Sequence, residues 1–145
     1  MRFWDSSALL KHYAKELDSE EFRQLAVDGE TPLISTFTRH ELHCAFWRKE
    51  SSKAVDRGAA EILFQKFLEQ IETGIFKLVS YDATVRQRLS EVVRRCYGAL
   101  KPVAIRSLDA MQLASALAGE ASEIVSADSR IRDADALFGW RILPD

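Results

Sequence analysis

Cysteine, glycine and proline are scarce in this chain of 145 residues, at 2, 6 and 3. The two cysteines, Cys44 and Cys96, fall within helical patterns and make no disulfide framework; they read as reduced core residues. The few glycines and prolines lie between periodic segments, which excludes a linker, a repeat array or a low-complexity tract and predicts one compact unit. No apolar run approaches the ~18 residues of a membrane span. The first residues reach a carboxylate at Asp5 without an apolar signal core, so secretion by a signal peptide is not expected and a cytoplasmic, membrane-free protein is. Neither sign of charge dominates: 20 Lys and Arg stand against 22 Asp and Glu, a net charge of -2. That argues against a protein that coats nucleic acid by bulk positive charge and leaves room for a local basic rim. G-x-S-x-G, the P-loop and G-x-G-x-x-G are all missing, which removes support for serine hydrolases, NTPases and dinucleotide enzymes. His40-Glu41-Leu42-His43 places its histidines at i and i+3, whereas zinc hydrolases need i and i+4 on one helix face.

What the chain does have is a set of short apolar runs separated by amphipathic stretches. Arg2-Phe3-Trp4 ends on Asp5 and reads as an edge-to-core strand; Ser6 or Ser7 then caps a helix to about Ala14, with Ala8, Leu9 and Tyr13 inward. A helix over Ser19 to Ala26 stops at Asp28-Gly29, and Leu33-Ile34-Ser35-Thr36 reads as a buried strand. Thr38 opens a helix to about Lys49 with Leu42, Ala45 and Phe46 as its stripe. The spacing predicts another from about Ala54 to Glu72, with Ile62, Leu63, Phe67, Leu68 and Ile71 inward. Ile75 to Val79 is a strand. Asp82 caps a helix through Arg95, with Val85, Leu89, Val92 and Val93 inward, and Ser107 opens an apolar helix to Ala118. Glu123 to Ala127 is a strand, Ser129 to Phe138 one helix, and Arg141-Ile142-Leu143 a last strand. Strands separated by helices predict an α/β fold with a short parallel sheet of about five strands, covered on both faces.

Four acids sit at matching junctions. Asp5 and Asp128 directly follow strands; Glu41 and Asp109 lie in the first turns of helices. In a parallel sheet these positions share one edge, where ligand sites are built. Each acid alone reads as a helix cap: Thr38-x-x-Glu41 spells a capping box, Asp109 follows Ser107, and Asp5 and Asp128 suit N-caps. Capping does not explain Asp109 in the nearly all-apolar segment Leu108 to Ala116, where a carboxylate without a partner is costly. Four clustered carboxylates repel one another, and a divalent cation removes that repulsion. All-oxygen ligation selects Mg²⁺ or Mn²⁺ over zinc, as one ion or as two roughly 3.5–4 Å apart.

These residues resemble a known family. Trp4-Asp5-Ser6-Ser7-Ala8-Leu9-Leu10-Lys11 resembles the opening of PIN-domain nucleases, D-[ST]-S-A-L-x-K after a hydrophobic strand. Glu41-Leu42 with Arg48 resembles their E-L-x(5)-R helix, Leu108 to Ala116 their L-D-A-x-x-L-A-S-A helix, and Ile124 to Ile131 their V-[TS]-x-D-x-x-L segment. The likeness runs through the chain in order, so residues 1–145 form a single PIN domain on this reading, and its layout is most similar to VapC toxins of type II toxin–antitoxin systems. The resemblance implies a three-layer α/β/α fold and a Mg²⁺- or Mn²⁺-dependent endoribonuclease that is usually a homodimer. It also implies a cognate VapB-like antitoxin whose C-terminal segment covers the acidic groove. Asp5, Glu41, Asp109 and Asp128 carry over as catalytic metal ligands, and Ser7 as a hydroxyl that positions a ligand or water. Ser6 replaces the commoner Thr, a departure expected not to touch the chemistry. Arg106 and Arg130, each within three residues of a site acid, are read as RNA-phosphate contacts. Arg48 is read as support that orients a carboxylate. Trp47 and Tyr97 are candidates for base stacking or for packing. The rival expectation is a non-catalytic PIN-fold module that binds RNA or a partner; the four intact acids speak against it. A haloacid-type phosphatase needs D-x-D after the first strand, where Ser7 stands instead.

Overall fold

A computed structural model of the chain describes residues 1–27 and 29–145; the helix-stop signal placed on Asp28 lies outside them. Five three-residue strands, β1 (Arg2–Trp4), β2 (Leu33–Ser35), β3 (Lys77–Val79), β4 (Glu123–Val125) and β5 (Arg141–Leu143), pair in the order β3-β2-β1-β4-β5 with every pairing parallel. β1 is thus the central strand and not an edge-to-core one. Helices α1 (Ser6–Tyr13) and α2 (Ser19–Val27) join β1 to β2, and α3 (Thr38–Ser51) and α4 (Ala59–Glu72) join β2 to β3. On the other side of β1, α5 (Ala83–Gly98) and α6 (Ser107–Ala118) lead to β4, and α7 (Ser129–Asp133) and α8 (Asp135–Phe138) to β5. The three-layer α/β/α expectation holds.

The strands are too short to display alternation, yet each carries two neighbouring apolar residues that point to opposite faces. Phe3, Leu33, Ile124 and Ile142 pack with Val85, Val92, Cys96, Leu113 and Ala114 beneath the α5–α8 layer. Trp4, Ile34, Val125 and Leu143 pack with Leu9, Phe22, Leu42, Phe46, Phe64 and Phe67 beneath the α1–α4 layer. Sheet order reverses direction at β1 and β4, the topological switch point at whose carboxyl edge α/β folds open a crevice.

Several local expectations give way to tertiary demands. Residues 54–58 are not helical: Gly58 holds φ +88 and α4 starts at Ala59. The stretch from Ser129 to Phe138 breaks into two short helices at Ala134, which is fully buried. Ile62 and Val93, expected inward, are exposed, while Phe64 is buried in place of Ile62. Cys96 is buried as expected but Cys44 is exposed. Gly119, which ends α6, lies against β2: a Cβ there would stand 2.4 Å from Leu33 Cδ2 and 3.1 Å from Val79 Cγ2. Leu33 is locked in the core and has little room to yield. Gly119→Ala should therefore lower stability by about 1–3 kcal/mol, and chemical denaturation of the two proteins checks it; an unchanged midpoint would show that α6 shifts freely.

Candidate active site

All four sequence-predicted acids reach one cavity of about 740 Å³ at the carboxyl edge of the sheet. Its walls also hold Ser6, Ser7, Arg48, Arg106 and Gln112 among polar groups, and Leu10, Phe37, Ala45, Leu108 and Ile131 among apolar ones. Asp5 stands at the end of β1, Asp128 just beyond β4, Glu41 in the first turn of α3 and Asp109 in the first turn of α6. Strand order makes this convergence possible, since β1 and β4 are neighbours and α3 and α6 both begin on the same edge.

The capping alternative is right for three of the acids and wrong for the fourth. Asp5 Oδ1 accepts from the Ala8 N–H at 3.0 Å, Asp128 Oδ1 from the Arg130 N–H at 2.8 Å, and Asp109 Oδ2 from the Arg106 N–H at 2.9 Å. A cap uses one or two of a carboxylate's lone pairs and leaves others facing the cavity, so capping and site membership coexist. Glu41 caps nothing. Residue Phe37 occupies the N-cap of α3 without a side-chain cap bond, so the Thr38–Glu41 capping box does not form. Glu41 instead accepts from Ser6 Oγ on one oxygen and from Gln112 Nε2 on the other, both at 2.6 Å. Ser6 thus touches a site acid through its hydroxyl, a group that the commoner threonine also carries.

Asp5 is 2% exposed and doubly held by hydroxyls. Ser7 Oγ donates to its Oδ1 at 2.7 Å and accepts from the Ala127 N–H at 2.9 Å; Ser126 Oγ donates to its Oδ2 at 2.9 Å and accepts from the Asp128 N–H at 3.0 Å. Two serines thus fasten the end of β1 to the end of β4. Burial pushes the Asp5 carboxyl up to about 6; the Ala8 N–H and the two hydroxyls oppose this, and the charge of Asp128 adds to it.

The basic residues form a loose rim. Arg106 is largely exposed, with Nε 3.4 Å from Asp109, and Arg130 Nη1 lies 3.9 Å from Asp128. Arg48 lines the cavity, and among the described residues it makes no ion pair, so it does not orient a carboxylate as expected. The histidines part company: His40 faces the cavity, whereas His43 stacks on Phe64 at 3.8 Å and meets Glu61 at 3.2 Å. Trp47 also bonds Glu61, and the Tyr97 hydroxyl donates to the Ile105 carbonyl, so both have packing partners. Sequence reasoning missed Gln112. Its signal was present: it is the one long polar side chain in the apolar helix, one turn after Asp109.

The oxygen-only donor set fits a hard divalent cation in kind, and Asp5, destabilised as an anion by burial, is a carboxylate that a cation would favour. Among the described residues, however, no three His, Cys, Asp or Glu side chains stand close enough to form a metal site by themselves. The protein's own donors occupy oxygens of each acid.

A family model of the PIN domain matches residues 2–137. The chain belongs to the PIN domain family. No curated protein sequence matches it. Among solved structures, this PIN domain is similar to FitAcB from Neisseria gonorrhoeae, with a TM-score of 0.70, 14% identity and coverage of 99% of this chain and 97% of that one. It is similar too to VapC20 of Mycobacterium tuberculosis, described as a toxin that cleaves the sarcin–ricin loop, at TM-score 0.68 and 14% identity over 92% of this chain and 95% of that one. VapBC2 from Rickettsia felis, bound to a DNA fragment from its promoter, matches at TM-score 0.66 and 14% identity, covering 97% and 96%. At these identities the likeness establishes a shared fold. Among the described residues no helix is long and apolar enough to cross a membrane.

Proposed function

We propose that this PIN domain, spanning residues 1–145, is a divalent-metal-dependent endoribonuclease, the VapC-type toxin of a toxin–antitoxin pair. The observation that carries the reading is the convergence of four acids from four separate segments on one cavity at the switch point of the sheet. Asp5, Glu41, Asp109 and Asp128 would hold Mg²⁺ or Mn²⁺. When bound, the cation supplies a hydrolytic water at neutral pH and stabilises the leaving oxygen of a phosphodiester. The chain's own residues do the rest. Ser7 and Ser126 fix Asp5 and tie it to the Asp128 loop. Arg106 and Arg130, at the rim beside two of the acids, hold RNA phosphates, and Arg48, which makes no ion pair among the described residues, takes another.

Partner and location follow the same reading. The apolar wall of Leu10, Phe37, Leu108 and Ile131 beside the acids suits the C-terminal segment of a VapB-like antitoxin, and the structural neighbours include toxin–antitoxin complexes. The active form is a homodimer in the cytoplasm. The alternative of a non-catalytic RNA- or partner-binding module is favoured by one observation, that among the described residues no three acidic side chains in the cavity stand close enough to form a metal site by themselves.

The ends of the cleaved RNA distinguish the mechanisms. Hydrolysis by water leaves a 5′-phosphate and a 3′-hydroxyl, because the ribose 2′-hydroxyl takes no part. Phosphatase and ligase treatment of the products reads these ends. A 2′,3′-cyclic phosphate would reject the metal-hydrolytic reading, and RNA binding that persists in EDTA with no cleavage at any Mn²⁺ concentration would favour the binding module.

A further inference from the structure

Gln112 is buried in α6, 2% exposed, on a helix otherwise built from small and apolar side chains. Its Nε2 donates to Glu41 Oε1 at 2.6 Å and to Thr38 Oγ1 at 3.3 Å. Its Oε1 is buried and, among the described residues, has no hydrogen-bond partner. Rotating the amide would not help, because it would turn Oε1 onto the Glu41 carboxylate; the charge fixes which way the amide faces. An orphaned buried acceptor is unfavourable, because it has given up its hydrogen bonds to water and gained none in return. A leucine or methionine in this helix would avoid that cost but would take the amide donor away from Glu41 Oε1 and from buried Thr38.

The place of the bond shows what it does. Asp109 and Gln112 sit one turn apart on α6, in the α5–α8 layer, whereas Glu41 belongs to α3 in the opposite layer. The Gln112–Glu41 bond spans the two layers beyond the sheet edge and sets Glu41 relative to Asp109. Ser6, next to Asp5, holds the second Glu41 oxygen. Glu41 is thereby referenced to both neighbouring acids. The donors are a neutral amide and a hydroxyl. A lysine at position 112 would also hold Glu41, but it would cancel the charge that a cation needs; an amide fixes the carboxylate and leaves its charge in place.

We infer that Gln112 is a positioning residue for the metal site, holding Glu41 in register with Asp109 at some expense in stability. The inference rests on the metal-dependent reading above. Its test is Mn²⁺ binding by isothermal titration calorimetry on the full chain, with thermal unfolding beside it. Gln112→Met keeps the side chain's length and removes the donor; Gln112→Asn keeps the amide and shortens its reach by one methylene. Both should lose Mn²⁺ affinity by roughly tenfold to a hundredfold. The Met variant should stay folded at the temperature of the titration, and the KM for RNA should stay unchanged while kcat falls. Wild-type Mn²⁺ affinity in both variants would overturn the inference and leave the metal reading standing. A wild-type protein that binds no Mn²⁺ would overturn the metal reading and this inference with it. If the Met variant folds poorly, the Asn variant alone decides between loss and retention of affinity.

Discussion

Asp5→Asn should make the metal-free protein more stable at neutral pH, by up to about 3 kcal/mol. The figure comes from the energy of holding a carboxyl of ordinary value 3.8 at about 6 in the folded state. Burial is the cause, and the Asn side chain removes the charge while keeping the shape. It keeps an acceptor for the Ala8 N–H, and Asn is as good an N-cap as Asp. Ser126 Oγ, which now donates to Oδ2, can turn to accept from the new amide. The pH dependence has a definite sign. Below pH 3.8 Asp5 is protonated in both folded and unfolded chains, and the favourable contribution of its raised folded value is fully present. Between 3.8 and about 6 the unfolded chain ionises first and that contribution is lost; above about 6 the loss is complete. The stability difference between variant and wild type should therefore be near zero at pH 3.5, open across this window and be flat at pH 7.5. For a chain of this size the gain corresponds to roughly 5–10 °C in Tm. Denaturant titrations at the two pH values measure it. An Asn variant no more stable than wild type at pH 7.5 would mean that Asp5 is not held as a costly buried anion.

The second large effect is on catalysis. Asp109→Asn should lower RNA cleavage by at least about a thousandfold, because a cation at the site contributes several kcal/mol to the transition state and this acid is one of its ligands on the proposed reading. Folding should be nearly untouched. The Asn oxygen still accepts the Arg106 N–H, and the long contact to the exposed Arg106 guanidinium is worth little. Loss of a negative charge from the first turn of α6 costs about 0.3–1 kcal/mol. Matched circular dichroism and unfolding curves, together with a cleavage assay, separate the two effects. Near-normal cleavage by the Asn variant would return Asp109 to the role of a helix cap.

The parallel sheet and the shared edge of the four acids were legible from the alternation of short apolar runs with amphipathic stretches. Pairs such as Phe3-Trp4 and Ile124-Val125 each supply one residue to either face, which is why three-residue strands suffice to hold two cores. Boundaries were less legible where tertiary packing overrode local pattern. The start of α4 is set by Gly58 at φ +88 and not by the hydrophobic period, and Ala134 breaks the last helical stretch with neither proline nor glycine to mark it. At the site, local reasoning went astray where partners come from far along the chain. Thr38-x-x-Glu41 has the form of a capping box, but Ser6 and Gln112, 35 and 71 residues from Glu41, take both of its oxygens. Thr38 is likewise drawn into the buried contact with Gln112. Cys44, on a helical face that looked inward, opens onto the cavity instead. No periodicity in one sequence encodes such pairings, because they depend on how two helical layers meet above the sheet edge.

The most direct test of the central claim is cleavage of a structured RNA mixture by the purified protein, in Mn²⁺ and in EDTA, beside Asp5→Asn shown to be folded. The account predicts cleavage by wild type in Mn²⁺, none in EDTA, and none by the Asn variant under either condition. Cleavage that survives EDTA, or that the Asn variant performs at the wild-type rate, would contradict it.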